Sequence, residues 1–193
     1  MTPMLARRVT IEDLYKITDK AELINGKIVY MSPAGGDPGY AGDEVFVSLR
    51  EYTRDSGDGR AVSGNKGFHV ELPNRESFSP DAALYRGPNP GMRFFDGAPA
   101  FAVEVRSESD YGSAAERAME EKRRDYFAAG TQVVWDVDLL GQDVVRKFTA
   151  PDATVPSENF RRGETANAEP AVPGWRIEVD ALFAPDGFST EAA

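Results

Sequence analysis

None of the 193 residues is cysteine. That absence excludes disulfide frameworks, thiolate zinc sites, iron–sulfur clusters and cysteine nucleophiles together. Histidine is nearly missing as well. His69 stands alone, which excludes multi-histidine metal sites and would rest any Ser-His-Asp chemistry on one side chain. Long apolar runs are also lacking, since the longest span a few residues against the roughly 20 that a membrane-crossing helix needs. The opening stretch, Met1 to Thr10, carries Arg7 and Arg8 without an apolar region behind them. No signal peptide is read there, and a cytoplasmic protein with no membrane partner is the expectation. Positive charge is scarce: 22 Lys and Arg face 32 Asp and Glu, for a net charge of −10. The acidity is skewed to the C-terminal third. A whole-surface polyanion binder is thereby excluded, because phosphate contacts need Lys and Arg in number. A local groove on the less acidic part remains open.

What is present is the composition of a soluble globular chain, 41% hydrophobic and 28% charged. The length suits a single domain over 1–184, with a frayed tail over 185–193. Thr10 to Ile17 reads as a short helix capped by Thr10 with Asp13 at its third position. Glu22 to Met31 is a hairpin, with Asn25-Gly26 between two apolar stretches as its turn. Ser32 to Gly42, rich in Gly and Pro, reads as a loop, and a helix over about Gly42 to Arg54 follows. Ala61 to Leu72 gives one or two strands, Ser79 to Tyr85 another, and Gly87 to Pro99 a long loop. Pro99 to Ser107 is the clearest strand, mostly apolar on both faces and therefore central. Ser113 to Ala129 is the clearest helix, with Ser113 as cap, Glu116 completing a capping box and Gly130 at its end. Gln132 to Asp138 and Val144 to Thr149 pair as strands across Gly141. Ala150 to Val172 reads as polar and irregular, and Pro173 to Val179 as a last strand. The order describes an α+β fold: a mixed central sheet flanked by few helices, with an N-terminal helix and hairpin.

Three residues sit badly in an ordinary reading. On the central strand, Phe101, Val103 and Val105 share one face, and Ala102, Glu104 and Arg106 the other. A carboxylate at Glu104 is costly unless it is paired, with Arg106 or a helix base for instance, or binds a metal. Asp81 follows Pro80 at a strand start, where a surface turn is the ordinary alternative. Lys122 falls on the helix stripe of Ala115, Ala118, Met119, Tyr126 and Ala129. It points to the sheet, or else snorkels with a buried stem and solvated head. Taken together, two carboxylates on neighbouring strands can hold a hard cation such as Mg²⁺. A lysine beside them can position or help deprotonate a water and offset phosphate charge. Such a site hydrolyses phosphodiesters without Cys or His.

Pro80-Asp81, Glu104-Val105-Arg106-Ser107, and Lys122 with Tyr126 and Gly130 resemble the PD-(D/E)XK nuclease superfamily. More narrowly, the chain resembles the Uma-two family of putative restriction endonucleases. Glu22 to Gly26, Met31 to Ala34, Phe101 to Asp110, Lys122 to Asp138, Pro173-Gly174-Trp175 and Leu182-Phe183 carry that likeness in order, over about Thr10 to Phe183. It implies a restriction-endonuclease-like core. Asp81 and Glu104 would be the metal-binding acids, with Glu22 as an additional one. The superfamily's usual lysine position, two after the second acid, holds Arg106 here, and Lys122 on the following helix is the candidate in its place. The family's histidine after the Met-Ser-Pro loop is absent, with Tyr40 near its position, and Glu108 stands in the usual Ser-Pro-Ser.

The resulting expectation is an endonuclease cutting DNA with Mg²⁺ or Mn²⁺, in which Asp81, Glu104 and Lys122 are catalytic and Arg106 contacts substrate. Arg117, Arg123 and Arg124 offer further positive charge, and a homodimer would reach both strands. Two alternatives stand beside it: a non-catalytic binding protein on the same scaffold, and a hydrolase of another phosphate ester in a closed pocket.

Overall fold

The computed structural model describes residues 9–185, so the tail expected to fray lies, apart from Pro185, outside the described residues. Helix α1 (Ile11–Leu14) opens with the Thr10/Asp13 capping box. Strands β1 (Ala21–Ile24) and β2 (Lys27–Tyr30) form the expected hairpin. Asn25 and Gly26 both have positive φ at its turn, 50° and 69°, the backbone that an Asn-Gly pair adopts at least cost.

Helix α2 (Gly36–Ser56) starts six residues earlier than the sequence suggests. Pro38 falls in its first turn, where the missing N–H costs nothing because those amides have no partner inside the helix. The Gly/Pro content that reads as a loop is therefore compatible with a helix start. Gly57, at φ 72°, ends the helix in the left-handed conformation.

Next come β3 (Arg60–Ser63), β4 (Phe68–His69), β5 (Ser77–Phe78), β6 (Ala82–Tyr85), β7 (Phe95–Asp96) and β8 (Phe101–Val105). β7 lies inside the stretch read as a loop and pairs in parallel with β4. Helix α3 (Ser113–Ala128) then leads to β9 (Val133–Val137) and β10 (Val145–Thr149). Beyond them the segment expected to be irregular carries β11 (Glu158–Phe160) and β12 (Thr165–Asn167), short strands whose polar residues hide them from a hydropathy reading. β13 (Arg176–Glu178) pairs with β12, and a 3-10 turn over Val179–Leu182 closes the described chain.

Six strands form the central sheet in the order β11-β10-β9-β8-β6-β3. Only the β8–β9 pair in it is parallel. That pairing requires a crossover, and α3 supplies it. The alternation on β8 sorts the core as its sequence implies. Phe101, Val103 and Val105 join Trp135, Trp175 and the buried face of α2 (Ala41, Val45, Leu49) on one side. Ala102 and Val134 face the other side, with Tyr126 of α3, Phe68 and Phe78. Glu104 and Asp136 are paired neighbours in the β8–β9 register and share this second face. No helix among the described residues is long and apolar enough to cross a membrane.

Phe101 is fully buried, edge-on to Trp135 and tilted against Trp175. Phe101→Ala should therefore cost about 3–5 kcal/mol, the range for emptying an aromatic core position. Urea denaturation should show a lower midpoint at unchanged slope. A loss under about 1 kcal/mol would contradict the tight aromatic packing.

Candidate active site

The site grows from the point where β6 and β8 part. The ladder between them ends with the Asp81 N–H donating to the Val103 carbonyl at 2.9 Å. The next amide, Val105 N–H, donates instead to Asp81 Oδ2 at 2.9 Å. Pro80 precedes this residue, has no N–H to offer, and leaves the strands free to diverge. A carboxylate thus replaces the backbone partner, and its second oxygen, Oδ1, turns outward to Lys20 Nζ at 3.0 Å. Two glycines make room for it: a Cβ on Gly64 would lie 3.3 Å from the Asp81 carbonyl, and one on Gly42 would lie 3.4 Å from the Asp81 Cβ.

One residue before Val105, Glu104 points to the α3 face. Its Oε2 accepts from Lys122 Nζ at 2.8 Å and its Oε1 from the Tyr126 hydroxyl at 2.6 Å. Lys122 and Tyr126 are four apart on α3 and reach the same carboxylate from adjacent turns. The lysine therefore does not snorkel, and its side chain is only 14% exposed. Its ammonium also lies 3.1 Å from Glu22 Oε1. Glu22, on β1, is buried and fully committed: Oε1 also accepts the Ser79 N–H at 3.0 Å, and Oε2 accepts Arg75 Nη1 at 2.5 Å. Arg75 in turn donates through Nε to Asp125 Oδ2 at 2.7 Å, and its guanidinium lies 5.0 Å from the centre of the Phe78 ring. The result is a line of alternating charge, Asp125, Arg75, Glu22, Lys122 and Glu104, ending on a tyrosine.

The two glutamates titrate in opposite directions. Burial raises the Glu22 carboxyl, but Lys122, Arg75 and the Ser79 N–H together bring it below its ordinary value. Burial also raises Glu104. Lys122 opposes the shift, while the negative charges of Asp81 and Glu22 add to it, so the net direction is upward. Burial penalises the Lys122 ammonium, and the two glutamates overcome that penalty, holding it well above its ordinary range. The two glutamates thus hold Lys122 as a cation and hydrogen-bond donor.

Of the residues read from the sequence, Glu104, Lys122 and Glu22 converge in direct contact. Asp81 lies close enough for its charge to act on Glu104. Arg106 does not join them. Its side chain is 1% exposed, its guanidinium bonds Asp136 through Nε at 2.8 Å and Nη2 at 2.9 Å, and it also pairs with Glu116. The expected substrate contact is corrected accordingly: Arg106 braces the sheet. Glu116 is consequently not part of a capping box, and α3 opens from Gly112 without a side-chain cap. Arg123 is internal too, bonded to Asp136 Oδ2 at 3.1 Å and to the Ala153 carbonyl at 2.9 Å, with its guanidinium 4.0 Å from the Phe148 ring centre. Arg146 supplies a third partner to Asp136 at 3.1 Å.

Sequence reasoning missed Lys20, Arg75, Asp125 and Asp136. Asp136 carried a usable signal, a lone acid inside the apolar strand Val133–Val137, the same anomaly that drew attention to Glu104. Lys20 and Arg75 lie in connecting segments and carried none.

Asp81 and Glu104 are two carboxylates close enough for the charge of one to act on the other, hard oxygen donors of the kind that Mg²⁺ takes with water completing its shell. Glu22 is the least open of the three acids to a cation, its side chain being 1% exposed against 18% for Glu104 and 22% for Asp81, with Arg75, Lys122 and Ser79 on its oxygens. Among the described residues no group of three or more Asp, Glu or His is arranged to hold a metal by itself. Beside Asp81 opens a groove of about 770 Å³ between the hairpin, the start of α2 and the β3–β4 turn. The Ser32–Gly42 stretch lines it through Pro33, Ala34, Pro38, Gly39 and Gly42.

Comparison with known proteins gives the family and the fold. The family described as Uma2, putative restriction endonuclease, matches residues 11–180. Among solved structures, that of a putative nuclease belonging to DUF820 from Anabaena variabilis ATCC 29413 superposes with a TM-score of 0.69. It is 16% identical, over 91% of this chain and 97% of the other, a level at which the likeness is one of fold. No curated protein matches the chain.

Two measurements probe this electrostatic arrangement. The folded-state pKa of Glu104 lies above its unfolded value, so the folded state holds that proton more tightly. This contribution to stability is present below the unfolded pKa and is lost as pH rises through the folded one. Glu104→Gln, which mimics the protonated form, should melt higher than wild type at neutral pH, by on the order of a few degrees, and the two should converge as pH falls. Identical melting at every pH would refute the raised pKa. Asp136→Ala should cost about 3–5 kcal/mol, because it strands buried guanidinium groups, as read by urea denaturation.

Proposed function

Because the chain belongs to the Uma2 family of putative restriction endonucleases, we propose that it is an endonuclease hydrolysing DNA phosphodiester bonds with Mg²⁺ or Mn²⁺. The observation that carries the reading is the contact of Lys122 with Glu104, together with Asp81, whose charge acts on Glu104 and which lines an open groove. An open groove suits a polymer passing across the site better than a small phosphate ester enclosed in a pocket.

Asp81 and Glu104 are the residues that would hold the cation. When bound, it supplies positive charge to the scissile phosphate and makes water a stronger acid. The chain's own groups do the rest. Tyr126 donates to Glu104 Oε1 and fixes the carboxylate plane. Lys122, kept protonated by its two glutamates, presents N–H donors that orient the attacking water and offset charge gathering on the phosphate. Glu22 and Arg75 act behind it: Glu22 anchors the ammonium and Arg75 keeps Glu22 ionised. Cutting both strands of a duplex calls for two such sites, hence for a second copy of the chain.

The test is cleavage of labelled single- and double-stranded DNA with Mg²⁺ or Mn²⁺ by wild type, Asp81→Asn and Lys122→Met. Metal-dependent cutting should fall by about 10²–10³-fold in Lys122→Met, the usual cost of one transition-state donor, and should vanish in Asp81→Asn. An inert wild type, or three proteins cutting alike, would sink the proposal and favour a binding protein on the same scaffold.

A further inference from the structure

Asp81 offers a cation Oδ1 more readily than Oδ2. Oδ2 is tied to the Val105 amide, which belongs to the sheet and cannot withdraw. Oδ1 is the free side, and Lys20 Nζ already stands on it at 3.0 Å. Both side chains are 22% exposed, so the contact is at the wall of the groove and not sealed within the core. Lys20 is also placed to leave. Its backbone is pinned at the foot of the hairpin, where its carbonyl accepts the Met31 N–H at 2.9 Å. Its four-carbon stem then reaches across the groove that it lines together with Lys66. A flexible stem on a fixed base can exchange one partner for another without moving the fold.

The charges lining the groove argue the same way. Asp19, Asp43 and Asp81 outnumber Lys20 and Lys66, so the empty groove repels a phosphate backbone. A divalent cation on Asp81 reverses that balance. It also competes with the Lys20 ammonium for Oδ1, since the two like charges would otherwise lie within a few ångströms of each other.

We infer that Lys20 is a stand-in cation. It neutralises Asp81 while no metal is bound, and on metal binding it is released into the groove, where its N–H donors meet a backbone phosphate of the nucleic acid. The inference rests on the assignment of Asp81 as a metal-holding acid. It adds that metal and nucleic acid bind with positive coupling through one side chain, metal first. A purely structural ion pair would also free Asp81 for metal when removed, but it would leave the effect of metal on duplex binding unchanged.

The experiment measures binding and not cleavage. Mn²⁺ is titrated calorimetrically into wild type, Lys20→Met and Lys20→Arg without DNA. A short fluorescein-labelled duplex is then titrated by anisotropy with and without Ca²⁺, with circular dichroism confirming that the variants are folded. Lys20→Met keeps the stem and loses the charge. It should bind Mn²⁺ about 10-fold more tightly, bind duplex several-fold more weakly in Ca²⁺, and lose most of the gain that Ca²⁺ gives wild type. Lys20→Arg should stay near wild type. If wild type binds Mn²⁺ and Lys20→Met binds it no more tightly, the stand-in role is overturned while the metal site survives. If wild type binds no Mn²⁺ at all, both the site assignment and this inference fail.

Discussion

Ionised groups taken out of water must be answered by groups of opposite sign, and on the α3 face of this sheet that requirement reaches five residues deep. Glu22 and Arg75 are almost wholly buried, and Lys122 and Asp125 nearly so. Leaving any one of them unanswered would cost more than a typical core substitution. The chain meets the requirement by alternating sign through Asp125, Arg75, Glu22, Lys122 and Glu104. These residues come from four separate places: the first strand of the hairpin, the connection before β5, the central strand and the crossover helix. The electrostatic condition is therefore also a topological one, since Lys122 of α3 is answered only where the hairpin's Glu22 and the central strand's Glu104 both meet it.

That condition decides how much of the site could be seen in advance. Glu104 and Lys122 were legible because each breaks a local period, one the alternation of a strand and the other the stripe of a helix. Asp81 became legible only in company with them. The partners were not legible, because a salt bridge between residues about fifty positions apart, such as Arg75 with Glu22 and with Asp125, leaves no periodic trace in either segment. The stripe on α3 was drawn too narrowly for the same reason. Asp125 and Arg123 count as polar in a hydropathy pattern, yet both are buried by partners that the pattern cannot contain. Arg106 shows the converse error: a basic residue beside a metal-binding acid looked like a substrate contact until Asp136 claimed it.

The fold itself was legible in outline. The Asn-Gly hairpin, the doubly covered central strand and the long crossover helix are each announced by strong local chemistry. The early start of α2 and the short strands after Ala150 were not. A helix can begin on Gly and Pro when its first amides need no partner, and three-residue strands at the periphery are held by the neighbours they pair with rather than by their own composition.

Asp136 joins β9 to β8 through Arg106, to α3 through Arg123 and to β10 through Arg146. Arg123 is the immediate neighbour of Lys122, and Glu116, two turns earlier on the same helix face, holds Arg106 from the other side. The helix is thus keyed to the sheet at two points seven residues apart, and the lysine stands one residue from the second. Each residue added to or removed from a helix turns everything beyond it by about 100°. A single insertion or deletion between Glu116 and Arg123 would swing Lys122 away from Glu104 and bring a neighbour into its place. The crossover helix can accept many changes of side chain along its outer surface, but its length between those two points is fixed.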